Sequence, residues 1–227
     1  MQGQNGKGPQ GMAVSRTDVA ADAEGGVARV GPKEAGRREV LTAAARAFRA
    51  NGVEGTTIDD IADELGATKG RVYHYYRSKN AVLLDIHVSA MELVLAEVSP
   101  AATTPGPARS RLADMVRRTV TLNDRELDLL YVVISALFNG LPMSGRPPER
   151  AVADRVRELR REFEDLFVSV IDDGIRSGEF RNVDSRLVAR ALLGSMQWTV
   201  LWLGSTDRPI TEVAAEMADY LLTGLVR

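Results

Sequence analysis

The chain has 227 residues, 44% apolar and 26% charged, with 29 Lys and Arg against 31 Asp and Glu for a formal charge of −2. It has no cysteine and only two histidines, His74 and His87, which excludes disulfides, cysteine nucleophiles and thiolate or histidine-rich metal sites. No run approaches the ~18 consecutive apolar residues of a membrane span, and no apolar stretch marks a secretory leader, so a cytoplasmic protein is expected.

Residues 1–32 are rich in Gly, Ala, Gln and small polar residues and show no periodicity, so a disordered tail is expected there. Order begins near Lys33. Val40, Leu41, Ala44, Ala45 and Phe48 recur on one face of a helix, which Asn51-Gly52 closes with a pair that accepts left-handed geometry. Thr57 caps a second helix with Asp60 at its third position, close to a capping box, and Ile58, Ile61, Ala62 and Leu65 form its apolar face. Gly66 breaks it. Thr68 caps a third helix that runs through Val72 to Tyr76. Ser78 caps a fourth, whose apolar residues include Leu83, Leu84, Ile86, Val88, Met91, Leu95 and Val98, until Pro100 stops it.

Residues 101–108 hold two prolines and a glycine and read as a loop. Helices over about Ala108–Leu122 and Arg125–Phe138 follow, then a loop over 139–148 rich in Gly and Pro. In the long helix beyond it, Val152, Val156, Leu159, Phe163, Leu166 and Val170 alternate steps of four and three, a near-heptad stripe. Its roughly 27 residues span about 40 Å before Ser177-Gly178. Two last helices cover about Ser185–Leu203 and Thr211–Leu225. No alternating β-branched run and no Gly-rich phosphate loop intervenes. The expected fold is all-α with about nine helices: a tail (1–32), a helix-turn-helix unit (33–80) and a larger helical domain (81–227).

The densest signal is TIDDIADELGATKGRVYHYYRSK, from Thr57 to Lys79: two short helices joined by a Gly-containing turn, the pattern of a helix-turn-helix. In that motif the second helix enters the major groove with its N-terminal residues at the base edges. Its solvent face here carries Lys69, Arg71, Tyr73 and His74, and its buried face Val72 and Tyr76. Lys69 and Arg71 suit guanine edges or phosphates, Tyr73 and His74 phosphate oxygens, and Gly70 allows close backbone approach. Thr57 and Thr68 place helix N-termini where a phosphate could sit, and Lys79 stands ready for the next one. From Lys33 to Asn80 nine Lys and Arg face seven Asp and Glu, so affinity for DNA must come from placement rather than bulk charge. On geometry alone the pair reads equally well as an ordinary amphipathic helix pair whose tyrosines are core.

The run GTTIDDIADELGATKGRVYHYYRSKNAVL resembles the DNA-binding signature of the TetR family of bacterial repressors. The likeness spans about residues 36–86. It rests on Thr-Thr before the first motif helix, Ile-Ala within it, Gly at the turn, then Lys-Gly, Tyr-x-Tyr-Tyr and Ser-Lys. Arg71 departs from it, where the family more often has a small polar residue. The resemblance implies a homodimer on a palindromic operator, repression relieved by a small molecule, and last helices that pair with their copies in a four-helix bundle. Leu192, Met196 and Thr199, with Val213, Met217, Tyr220, Leu221 and Gly224, offer apolar stripes for that pairing or for the core.

MQWTVLWLGSTDRPIT, AAEMADYLLTGL and LRREFEDLFVSVIDDGIRSGEFR are similar to segments of TetR-type regulators of fatty-acid and steroid catabolism, which implies a hydrophobic or acyl-CoA effector. Many of those place an Arg just before the second tryptophan, where this chain has Leu201. Met91, Leu95, Phe138, Phe163, Phe167 and Trp198 are the candidate pocket residues; Trp198 and Trp202, on one helix face, serve equally as core or dimer packing. Arg160 and Arg161 could meet phosphates or simply form a solvated face. No Ser/His/Asp order and no metal-ligand spacing is present, and Asp172-Asp173 are helix neighbours that point apart. Catalytic residues, metals and cofactors are therefore not expected, and the competing reading is an all-α interaction module that binds no specific DNA.

Overall fold

A computed structural model describes residues 31–139 and 147–226. The predicted tail lies outside them except for its last two residues. The described residues form nine α-helices: α1 (Pro32–Gly55), α2 (Ile58–Leu65), α3 (Lys69–Tyr75), α4 (Lys79–Thr103), α5 (Ala108–Arg125), α6 (Leu127–Asn139), α7 (Pro147–Ser177), α8 (Ser185–Trp198) and α9 (Ile210–Thr223). Two 3₁₀ turns, Thr199–Leu201 and Leu203–Ser205, join the last two helices.

Local chemistry sets the first three helices. Val40, Leu41, Ala44, Ala45 and Phe48 bury one face of α1, and Gly52 breaks its helical path at φ 72°. Thr57 and Asp60 form the reciprocal capping box: the Asp60 amide donates to Thr57 Oγ1 (3.2 Å) and the Thr57 amide to Asp60 Oδ2 (2.7 Å). Those bonds hold the Asp60 carboxyl below its ordinary range. Gly66 closes α2 in the left-handed region at φ 64°. Thr68 stands at the N-cap of α3, but its hydroxyl makes no capping bond.

Pro100 does not stop α4. The helix runs on to Thr103, and Ala101 and Ala102 beyond the proline are buried. Hydroxyls bridge the weakened turn: Ser99 Oγ donates to the Leu95 carbonyl and Thr103 Oγ1 to that of Ser99. Packing of the two alanines outweighs the hydrogen bond that proline lacks. Pro147 opens α7, in the first turn, where a missing N–H costs nothing. The expected helix over Ser185–Leu203 is cut short: α8 ends at Trp198 and the chain tightens into 3₁₀ geometry. The side-chain amide of Asn123 marks that break, donating to the Met196 carbonyl and to Thr199 Oγ1, both at 2.9 Å.

One core runs through these helices. α4 packs along α7 and α5, α5 along α9, α7 along α8, and α1 against α2 and α6. Leu192, Met196, Thr199 and Val213 are buried inside the chain, so that part of the expected dimer stripe is intramolecular core. The chain just after α7 is held tightly: Phe180 is fully buried, its amide donates to the Gly174 carbonyl (2.9 Å), and it forms an isolated antiparallel bridge with Val226.

His87 is wholly buried on α4, with Nδ1 2.8 Å from the Leu83 carbonyl. Burial pushes its pKa from 6.5 down to about 4. Between those values the unfolded chain takes a proton that the folded chain refuses. The contribution of His87 to stability is therefore complete above about pH 6.5 and falls as the pH drops toward 4. Urea unfolding at pH 6.5 and 4.5 should show His87→Gln losing about 2 kcal/mol less than the parent over that interval. Equal losses would contradict a neutral buried imidazole.

Candidate DNA-binding helix and effector cavity

α3 presents one clear outer side. Lys69, Gly70, Arg71, Tyr73 and His74 are exposed, while Val72 and Tyr76 are buried against α1 and α4. The core therefore fixes the helix by its inner residues and leaves the candidate DNA-reading residues free of packing. Two of them are held by carboxylates. Arg71 Nη2 pairs with Glu39 of α1 at 2.6 Å, and Lys69 Nζ lies 3.6 Å from Asp59 of α2. His74 stacks edge-on against Tyr75. Thr57, exposed at the start of α2, is engaged in its capping box.

Lys79 is placed differently from the expectation of a phosphate clamp. Its ammonium donates to the carbonyls of Val53 (2.6 Å) and Glu54 (3.2 Å), capping the open carbonyl end of α1. Tyr76 closes α3 and donates its hydroxyl to Asp85 Oδ2 of α4 at 2.6 Å. Arg37 of α1 pairs with the same carboxylate. Burial, then the Asp85 hydrogen bond, raises the Tyr76 phenol, so it stays a donor. Through Asp85, the end of the recognition helix, α1 and α4 share one knot.

A cavity of about 270 Å³ lies further along α4. Met91 and Val94 of α4, Leu130, Val133 and Ile134 of α6, Phe163 of α7 and Leu193 of α8 give it apolar walls. Thr119 and Asn123 of α5 supply polar atoms on one side, and Arg160, Glu164, Arg190 and Gln197 on another. An apolar chamber with a few convergent polar groups is the usual form of a small-molecule site. A wider groove of about 810 Å³ runs between the starts of α4 and α7, but it lies open to solvent.

The candidate pocket residues divide accordingly. Met91 and Phe163 line the cavity. Phe167 is fully buried behind Phe163, ring to ring at 5.3 Å, and Leu95 is core beside it. The side chain of Phe138 lies outside the described residues. Trp198 is 56% exposed and does not line the cavity, because α8 carries it to the outer surface. Trp202 sits beyond the helix break, so the two indoles do not share one continuous α-helix.

Asn123 and Thr119 escaped the sequence reading. Their signal was present: both are polar at positions of α5 whose period is otherwise apolar, with Leu112, Met115, Val116 and Val120. The Arg160-Arg161 pair splits, Arg161 facing solvent and Arg160 the cavity. Exposed apolar side chains gather on α8 and α9, notably Leu187 (66%), Trp198 and Tyr220 (80%). On α8, Leu187, Ala191, Gly194, Ser195 and Trp198 follow a helical period along that exposed face.

Comparison with known proteins follows the same division. Residues 40–86 match the model for bacterial regulatory proteins of the tetR family, and residues 105–225 that for the tetracyclin repressor-like C-terminal domain. The HTH-type transcriptional repressor KstR2 of Rhodococcus jostii is 26% identical over 201 residues, covering 85% of this chain and 92% of its own. AibR, solved in complex with isovaleryl coenzyme A and operator DNA, superposes with a TM-score of 0.68 at 24% identity, covering 82% of this chain and 97% of its own. FadR of Bacillus subtilis, solved with stearoyl-CoA, does so at 0.65 and 19% identity, covering 82% and 98%. At those identities the two structures speak to the fold.

Proposed function

The chain belongs to the TetR family of bacterial transcriptional regulators, a family of DNA-binding proteins and not of enzymes, and from that premise we infer a homodimeric repressor released from a palindromic operator by an acyl-type effector. The observation that carries the effector reading is the largely apolar, partly open cavity between α4 and α8, with its few polar groups. AibR and FadR, with their coenzyme A thioesters, support the acyl class. The exposed stripe of α8 and Tyr220 of α9 support pairing with a second copy.

α4 is the element common to both ends of the mechanism. It starts at Lys79, directly after the recognition helix, and it walls the cavity through Met91 and Val94. The Asp85 knot ties its first turns to the end of α3 and to α1. A ligand that displaces α4 at Met91 therefore tilts the recognition helix and changes the spacing of the two helices in the dimer, which on B-DNA must be about 34–36 Å. To release DNA the effector must prefer the displaced state, since equal affinity for both states shifts nothing.

The test uses the intergenic DNA beside the gene for this protein. The protein should shift that fragment in preference to random DNA, and an acyl-CoA should reverse the shift. Binding without sequence preference refutes the operator reading. Lys69→Ala and Arg71→Ala should each change which base pairs are preferred, by about 1–3 kcal/mol at the affected position. Tyr73→Phe should weaken all sequences alike, because a phosphate contact carries no sequence information. Anisotropy titrations against a set of single-base operator variants distinguish the two patterns.

A further inference from the structure

Arg160 brings a charge to the cavity that its surroundings do not balance. Its Nη2 is buried without a hydrogen-bond partner, and no carboxylate among the described residues pairs with its guanidinium. The natural partner stands one turn on, at Glu164, on the same face of α7. That carboxylate is already taken: Arg186 of α8 reaches it at 2.7 Å and Arg190 at 3.1 Å. His87, close enough to feel the charge of Arg160, is kept neutral by burial and adds no second positive charge. Desolvation lowers the Arg160 pKa, the mark of a cation deprived of water without a compensating anion. A partly desolvated cation is stabilised when an anion pairs with it.

Of the other polar lining groups, Glu164 and Arg190 pair with each other, and Gln197 is a neutral amide. Asn123 spends its amide on the end of α8, and Thr119 Oγ1 donates to the Met115 carbonyl. Arg160 is thus the cavity's cation without a carboxylate partner among the described residues. Resting on the effector reading above, we propose that Arg160 is the counter-ion of the effector: the ligand is an amphipathic anion whose carboxylate or phosphate oxygens bond this guanidinium while its hydrocarbon part lies against Met91, Val133, Phe163 and Leu193. A neutral hydrocarbon of the same shape leaves the cation unpaired and binds weakly. A charge-assisted bond to a planar guanidinium is the stronger kind, and its bidentate form also fixes orientation.

Calorimetric titration of the full-length protein with octanoate, octanoyl coenzyme A and octanol tests this. The parent should bind at least one of the two anions about tenfold or more tightly than octanol. Arg160→Met should bind octanol as the parent does and lose the preference for the anion, while Arg160→Lys keeps part of it. The anion whose affinity falls in Arg160→Met identifies the source, carboxylate or coenzyme A phosphate. Without ligand, Arg160→Met should melt no lower than the parent, because an unpaired buried cation has been removed. Equal affinity for octanol and both anions, or a preference that survives in Arg160→Met, overturns the proposal. If octanol alone binds and releases operator DNA, the effector cavity stands and the counter-ion falls. If none of the three binds, both fall.

Discussion

Leu187→Glu combined with Trp198→Glu should convert the protein to a monomer and lower its affinity for a full palindromic operator by about 100-fold or more. Both side chains lie on the exposed stripe of α8, at opposite ends, and none of the described residues covers them. Glutamates there leave the internal core untouched, so helicity and melting of the subunit should be preserved. In the proposed dimer the loss comes from linkage: two recognition helices on one rigid body make the second contact intramolecular, an advantage worth about 10²–10⁴ in affinity. Light scattering after size exclusion gives the mass, and titration of full and half operators gives the affinities. The half-site affinity should hardly change. A double variant that remains a dimer would place the interface elsewhere.

Phe180→Ala should be the most damaging single truncation outside the DNA-binding half, at about 3–5 kcal/mol. The ring is fully buried where the end of α7 meets the C-terminal residues. Its carbons press on Gly174, and a Cβ at that position would overlap the ring. Gly174→Ala should therefore destabilise by about 1–3 kcal/mol despite the better helix propensity of alanine. The pair should be non-additive. With the ring removed, a methyl at 174 fills part of the vacancy, and the double variant should recover about 0.5–3 kcal/mol relative to the sum. Denaturant unfolding of the four proteins yields the coupling directly; strict additivity would show that the two residues do not touch.

The N-terminal third was readable because its structure is written in local chemistry. The Thr57-Asp60 box, Gly52 and Gly66 act within a few residues, and the 3.6-residue period of α1 and α2 points to their buried faces without help from distant segments. The near-heptad stripe of α7 was legible for the same reason. What was not legible depends on groups far apart in the chain. The continuation of α4 past Pro100 is decided by burial of Ala101 and Ala102. The end of α8 at Trp198 is marked by Asn123, some 73 residues earlier. The outward position of Trp198 and the use of Lys79 as a cap on α1 follow from which surfaces meet. Arg160 and Arg161 are neighbours in sequence, and the packing of α7 on α4 and α8 decides which of them meets the cavity.

The ion pairs on the recognition helix bear on how its contacts with DNA are to be counted. A cation that docks on a phosphate drives off the ions condensed there, and the slope of log affinity against log salt reads how many leave. Lys69 and Arg71 arrive with Asp59 and Glu39 beside them. In the proposed complex they carry a positive charge and a nearby negative one into the groove, so the phosphates flanking it are neutralised less fully and shed fewer ions. A shallow salt dependence in this protein would then measure the net charge delivered to the groove, and would understate the number of side chains holding the DNA.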